Sequence, residues 1–335
     1  MNISTRPGYQ SAKTVAPVAA APRQPSRDLL SQPGRNPKPA TLARWLLRAL
    51  GACSRPGPFI VAMLLALGFA PVHAQGNRVA GEYIAKAAGC MGCHTDTKAG
   101  SVPFAGGRAL ETPFGIFYGP NITPHRETGL GIWSEEDFRR AVRRGERRDG
   151  SHYFPAFPYP SFTGMSDTDV RDLWAYLRSL PATNRANQEH ALRFPYSWRP
   201  LVAVWKWLFF TAAPALSNAP TGASVARGSY LVRALGHCGE CHTPRNFLGG
   251  PKSDRLLAGG KVPEGKVPNL TPTRLKKWTD AGLKEYLLTG LTPGGDIAAE
   301  PMGEVITNST SRLTPDDLSA IVAYLRSLPP LPSQE

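Results

Sequence analysis

The chain has 335 residues, 39 of them lysine or arginine and 25 aspartate or glutamate, for a formal charge of +14. With 41% hydrophobic and 19% charged residues it is a folding chain and not a bundle of membrane spans, and its length suits two domains of ordinary size. Glycine and proline, at 33 each, predict much loop and few long helices.

Residues 1–57 are polar, proline-rich and basic, a composition for disorder. The apolar run from Pro58 to Ala70, closed by Val72-His73-Ala74, reads as a secretory signal peptide cleaved after Ala74. It is short for a spanning helix, although retention as an uncleaved anchor is the competing expectation. The stretch before it is long for a signal, which a start codon placed too early would explain. Residues 1–74 hold nine bases and one acid, Asp28, so +8 of the charge leaves with this segment. What remains is no argument for nucleic acid. Cys53 leaves as well.

The four remaining cysteines lie in one repeated pattern, Cys90-Met91-Gly92-Cys93-His94 and Cys238-Gly239-Glu240-Cys241-His242. Both are C-x-x-C-H, the haem c attachment pattern. Two intervening residues on a helical turn present both thiols to one porphyrin edge, and the next histidine reaches the iron. A zinc site would not require histidine directly after each second cysteine, and the strand–helix setting of a redox dithiol is missing. The expected cofactors are two covalently bound haem c groups. Cys90, Cys93, Cys238 and Cys241 attach them, and His94 and His242 ligate the metal.

An internal repeat surrounds the motifs. Gly81-Glu82-Tyr83-Ile84 matches Gly228-Ser229-Tyr230-Leu231, and Ala105-Gly106-Gly107 matches Ala258-Gly259-Gly260. Pro120-Asn121-Ile122-Thr123-Pro124 matches Pro268-Asn269-Leu270-Thr271-Pro272, and the run from Ala175 to Pro181 recurs unchanged from Ala323 to Pro329. Two homologous domains are expected at 76–185 and 223–335, joined by a linker at 186–222. Each should end in a helix. Ser166 with Asp169, and Thr314 with Pro315, are start signals. Val170, Leu173, Trp174, Leu177 and Leu180, and then Leu318, Ile321, Val322, Leu325 and Leu328, keep helical spacing.

An iron that only passes electrons is usually held between His and Met. Past the signal the methionines are Met91, Met165 and Met302. Met91 lies inside the attachment loop. Met302, in a loop 22 residues before Tyr324, is the expected sixth ligand of the second haem. For the first haem the alternatives are Met165, His152 or none. Met165 sits where Leu313 sits in the second repeat, just before a helix cap, so its register favours the core.

These residues resemble a known family. Thr112-Pro113-Phe114-Gly115, Asn121-Ile122-Thr123-Pro124, Trp133 to Phe138 and Asp149-Gly150-Ser151-His152 are similar to the multihaem cytochrome c subunits of bacterial alcohol, aldehyde and sugar dehydrogenases. Leu235 to Arg245 and Met302-Gly303-Glu304-Val305 look like that family's middle domain. The resemblance departs at two points. Better-known members carry three haems, and their first loop reads Pro-Ala-Met-Pro-Tyr where this chain has Pro155-Ala156-Phe157-Pro158-Tyr159. It implies an all-α fold of two tandem class I cytochrome c domains, each a few helices around a covalent haem. It also implies a carrier and not an enzyme, located in the periplasm and attached to the outer face of the cytoplasmic membrane. Such a carrier takes electrons from a dehydrogenase and gives them to quinone or a terminal oxidase. The alternative is a dihaem enzyme, peroxidase-like or a sulfur-compound oxidase, with an open first haem.

Two surface features complete the reading. Arg139, Arg140, Arg143, Arg144, Arg147 and Arg148 form either a solvated basic face or a steering surface for an acidic partner. The segment from Trp198 to Phe210 packs between the domains, lies on a membrane surface or docks a dehydrogenase.

Overall fold

A computed structural model describes residues 75–214, 216 and 224–333. The N-terminal segment, with the expected signal peptide, its cleavage site and Cys53, lies outside the described residues, as do positions 215 and 217–223 of the linker. Among the described residues no helix is long and apolar enough to cross a membrane.

The first repeat opens with α1 (Arg78–Ala87), started by the Asn77 side chain, which accepts from the backbone N–H groups of Val79 and Ala80. It continues through α2 (Cys90–His94), β1 (Ala109–Thr112), β2 (Gly115–Tyr118), α3 (Glu135–Arg144), α4 (Tyr159–Phe162) and α5 (Asp167–Ser179). The connecting segment adds β3 (Ala191–Leu192) and α6 (Pro200–Phe209). The second repeat has α7 (Val225–Tyr230), which runs into a π turn at Leu231–Leu235, and then α8 (Gly239–His242). After these come β4 (Gly260–Val262), β5 (Gly265–Val267), α9 (Pro272–Leu275), α10 (Asp280–Thr289), α11 (Met302–Asn308) and α12 (Pro315–Ser327).

The two terminal helices start as their sequences predict. Ser166 Oγ accepts from Asp169 N and Thr314 Oγ1 from Asp317 N, and Pro315 occupies the first helical position. Val170, Leu173 and Leu177 of α5 are buried, as are Leu318, Ile321, Val322 and Leu325 of α12, while Trp174, Leu180 and Leu328 pack at the core's margin. Each terminal helix lies across the first helix of its own repeat, with a glycine at the crossing. A Cβ on Gly81 would come within 1.9 Å of the Asp172 carbonyl oxygen, and one on Gly228 within 1.9 Å of the Ala320 carbonyl oxygen. Any side chain would force the helices apart, so the repeated Gly-x-Tyr records a backbone-to-backbone contact.

The chain is mainly helical with few strands, which amends the all-α expectation. β1 and β2 form an antiparallel hairpin that β3 extends, and β4 pairs antiparallel with β5. The first hairpin turns on Thr112-Pro113-Phe114-Gly115. There the Thr112 hydroxyl donates to the Gly115 carbonyl and accepts from Phe114 N–H, so a local side-chain bond closes the turn. From the first repeat onward the chain clusters as one compact unit. Its core runs without a break from Ile84, Phe138 and Leu173 to Tyr230, Leu235 and Leu325.

Candidate haem-binding sites

Cys90 and Cys93 lie on α2, and Cys238 and Cys241 on or beside α8, so each pair shares one helical turn. Among the described residues none of the four forms a disulfide. Burial pushes Cys90 and Cys238 up to about 12 and Cys93 to about 11, and it raises Cys241 as well. Such thiols are protonated at neutral pH. That is the reverse of the lowered pKa that marks a redox dithiol, and among the described residues no cluster of donors could hold a free metal ion.

The histidines carry the most informative geometry. His94 Nδ1 lies 2.8 Å from the Pro120 carbonyl oxygen, and His242 Nδ1 lies 2.7 Å from that of Pro268. A carbonyl only accepts, so each Nδ1 bears the proton and donates. Nε2 keeps its lone pair. A neutral imidazole with its far nitrogen tied to a carbonyl is the ligating form, oriented by its second partner. Desolvation by burial also lowers both histidines, which keeps them neutral.

The repeated Pro-Asn-x-Thr-Pro segment explains how those carbonyls are held. Asn121 Oδ1 accepts from Thr123 N and Oγ1, and its amide donates to the Thr183 carbonyl just past α5. In the second repeat Asn269 Oδ1 accepts from Thr271 N, and its amide donates to the Leu331 carbonyl past α12. Thr183 N and Leu331 N return hydrogen bonds to Thr123 and Thr271, each at 3.2 Å. Asn121 and Asn269 are buried, so these fully paired amides fix the turn that aims each proline carbonyl. The sequence holds one signal for these carbonyls: each Pro of the repeated Pro-Asn-x-Thr-Pro follows its histidine by 26 residues.

These residues fit covalent haem: paired thiols on one turn, and a histidine in the ligating tautomer directly after them. Among the described residues, two side-chain atoms near the sites are buried with no protein partner. They are Arg108 Nε, whose guanidinium also pairs with Glu304 at 2.8 Å, and the hydroxyl of Tyr159, which is 0% exposed.

The distal candidates separate. Met302 begins α11, half-buried, after Pro301. Met165 is 0% exposed and belongs to the hydrophobic core, the environment that its register predicts. His152 Nδ1 is 3.3 Å from Lys206 Nζ, which also pairs with Glu146 at 3.6 Å. An ammonium only donates, so in this contact the neutral ring carries its proton on Nε2. Phe157 offers no donor atom and packs its edge against Tyr153 and Phe162.

Four of the six arginines of the basic face pair with three carboxylates, so it keeps a positive excess. Arg139 pairs with Glu136, Arg140 and Arg148 with Asp137, and Arg143 with Asp167. The tryptophan-rich α6 bridges both repeats. Lys206 engages the first, while the Trp205 indole donates to the Leu248 carbonyl of the second at 3.1 Å. Trp207 points outward, 81% exposed.

The family described as Cytochrome c matches residues 79–181 and 225–329. A "Diheme cytochrome c-type" protein of Cereibacter sphaeroides is 42% identical over 267 residues, covering 78% of this chain and 88% of that protein. The fructose dehydrogenase cytochrome subunit of Gluconobacter japonicus is 39% identical over 254 residues, 74% of this chain and 52% of the relative. The cytochrome c subunit of the quinone-type alcohol dehydrogenase of Gluconobacter oxydans is 35% identical over 285 residues, 80% and 59% respectively. The chain thus spans most of the dihaem relative but little more than half of these dehydrogenase cytochrome subunits.

Proposed function

The chain belongs to the cytochrome c family, and from that premise we propose that it is a dihaem carrier that takes electrons from a dehydrogenase and delivers them to the respiratory chain. The observation that carries this is the pair of His–proline carbonyl bonds directly behind two C-x-x-C-H turns. Cys90, Cys93, Cys238 and Cys241 would attach two haem c groups, with His94 and His242 on their irons and Met302 as sixth ligand of the second. When bound, each haem supplies reversible one-electron ferrous–ferric chemistry. The chain's own residues hold each imidazole neutral and aimed, and keep the thiols in apolar surroundings.

The dehydrogenase donor follows from relatives named as cytochrome subunits of fructose, alcohol and gluconate dehydrogenases. The periplasm, export by the N-terminal signal, contact with the outer face of the cytoplasmic membrane, and quinone or a terminal oxidase as acceptor belong to the same proposal. One experiment tests it. Membranes from cells lacking this chain should lose oxygen uptake driven by an alcohol, sugar or aldehyde, while that substrate still reduces ferricyanide through the dehydrogenase. Unchanged oxygen uptake on every such substrate would overturn the reading. The dihaem-enzyme alternative makes its own demand: rapid carbon monoxide binding to the reduced protein, together with turnover of peroxide or a sulfur compound.

A further inference from the structure

Tyr83 and Tyr230 stand at equivalent places on the first helices of the two repeats, and both hydroxyls reach out of their own repeat. The Tyr83 hydroxyl donates to Asp317 Oδ2 at 2.6 Å and accepts from Thr314 N at 3.2 Å. That of Tyr230 donates to Asp169 and accepts from Ser166 N at 3.1 Å. Thr314 and Ser166 are the N-caps of α12 and α5, and Asp317 and Asp169 are the residues whose N–H groups those caps receive. Each first helix therefore completes the start of the other repeat's terminal helix. Arg227 ties the two exchanges together. It meets Asp317 through two nitrogens, at 2.8 and 2.7 Å, and stands 5.8 Å from the centre of the Tyr230 ring. Tyr230, Asp169 and Asp317 are buried, where a charge-assisted hydrogen bond is strong and an unmade one costly.

The same seam carries the attachment segments. His237, directly before Cys238, sets its ring edge-on to that of Phe162 in the first repeat, with centroids 5.6 Å apart. Ser309 Oγ donates to the Ala87 carbonyl at 2.9 Å, and Asn308 lies against Gly92 within the first attachment turn. From the other side Ser161 Oγ donates to Glu240 Oε1, within the second turn, at 2.8 Å. A slip between repeats would therefore move one attachment turn relative to the other.

We propose that Tyr83 and Tyr230 are positioning residues for electron exchange between the two haems, acting as reciprocal latches that fix the placement of the two attachment turns. The inference rests on the dihaem carrier reading above. The exchange moves one electron, with no bond made or broken and no further reactant. Its rate depends on separation and orientation, which is where a hydroxyl remote from either iron acts.

The test uses the exported full-chain holoprotein and its Tyr83→Phe/Tyr230→Phe double variant. Pulse radiolysis delivers one electron per molecule, and the relaxation that follows reports redistribution between haems. Circular dichroism in the Soret region reports their relative orientation. The double variant should retain two haems by pyridine haemochrome and unchanged absorption of each. Its redistribution should slow by roughly tenfold or more, the scale on which small misplacement acts on positioned reactants, and its Soret couplet should shrink. Redistribution within about twofold of the parent, with only thermal stability lowered, would overturn the proposal and leave the tyrosines structural. Should the double variant not assemble, Tyr83→Phe and Tyr230→Phe singly each keep one latch, and unchanged rates in both overturn it equally. A parent with fewer than two haems would instead sink the dihaem reading beneath the proposal.

Discussion

The two repeats approach their attachment turns differently. In the first, α1 ends at Ala87 and Gly89 makes the turn in the left-handed region, at φ 61°. In the second, one extra residue separates the Gly-x-Tyr from the attachment motif, and it is accommodated as the π turn Leu231–Leu235. The turning residue there is His237, at φ 39°. Histidine tolerates that region better than most side chains, and its ring reaches Phe162 of the first repeat. A one-residue insertion thus changed a turn made by a residue without a side chain into one made by a residue that grips its neighbour. Repetition preserved the site, and the departure from it built part of the interface.

The largest effects should test whether the two sites are equivalent. Cys238→Ser with Cys241→Ser should take haem content from two per chain to one by pyridine haemochrome, and Cys90→Ser with Cys93→Ser should do the same for the other site. Loss of both haems from either variant would mean that one site depends on the other for assembly. Next come the crossing glycines. Gly81→Val and Gly228→Val each place a branched side chain against a carbonyl oxygen 1.9 Å from the new Cβ, and each should cost at least about 3 kcal/mol in thermal or denaturant unfolding. Markedly unequal costs would break the structural equivalence of the repeats.

Met302→Ala should abolish the near-infrared methionine–iron band of the oxidised protein, whereas Met165→Leu should leave it intact. A band that survives Met302→Ala and disappears with Met165→Leu would exchange their assignments. The smallest expected difference lies in pH dependence. Asp317 and Asp169 are equivalent residues shifted in opposite directions. The Arg227 guanidinium holds Asp317 below its ordinary value against the cost of burial, while burial raises Asp169. The Asp317 contribution is present above its unfolded value and is lost as pH falls through the lowered folded one. The proton held by folded Asp169 makes stability fall as pH rises from the unfolded value through the raised one. Asp317→Asn should therefore flatten the acid limb of a stability–pH curve, and Asp169→Asn the decline just above it. Matching curves for both variants would show that Arg227 does not distinguish the two latches.

The shared helical turn of each Cys-x-x-Cys-His was legible because it is a short-range pattern, presented to one face wherever it folds. The terminal helices were legible for the same reason, since Ser166 and Thr314 cap locally and their apolar spacing repeats every turn. The small sheets were not foreseen. Three- and four-residue strands carry almost no periodicity, and β3 pairs only because the linker returns to β2. Nor could spacing foresee the contact of the His152 ring nitrogen with Lys206, 54 residues further on. Length suggested two domains of ordinary size, and residues of both repeats share one continuous core.

The sequence by itself determined that each repeat carries a haem c attachment turn and where its terminal helix starts, because C-x-x-C-H and helix initiation are settled within a few residues. Only the tertiary structure decided how the repeats are joined. The Pro120 and Pro268 carbonyls and the crossed tyrosine hydroxyls pair groups tens to hundreds of residues apart. Such pairings form because a buried donor left unmatched is costly, and that constraint acts only once the chain has brought the groups together.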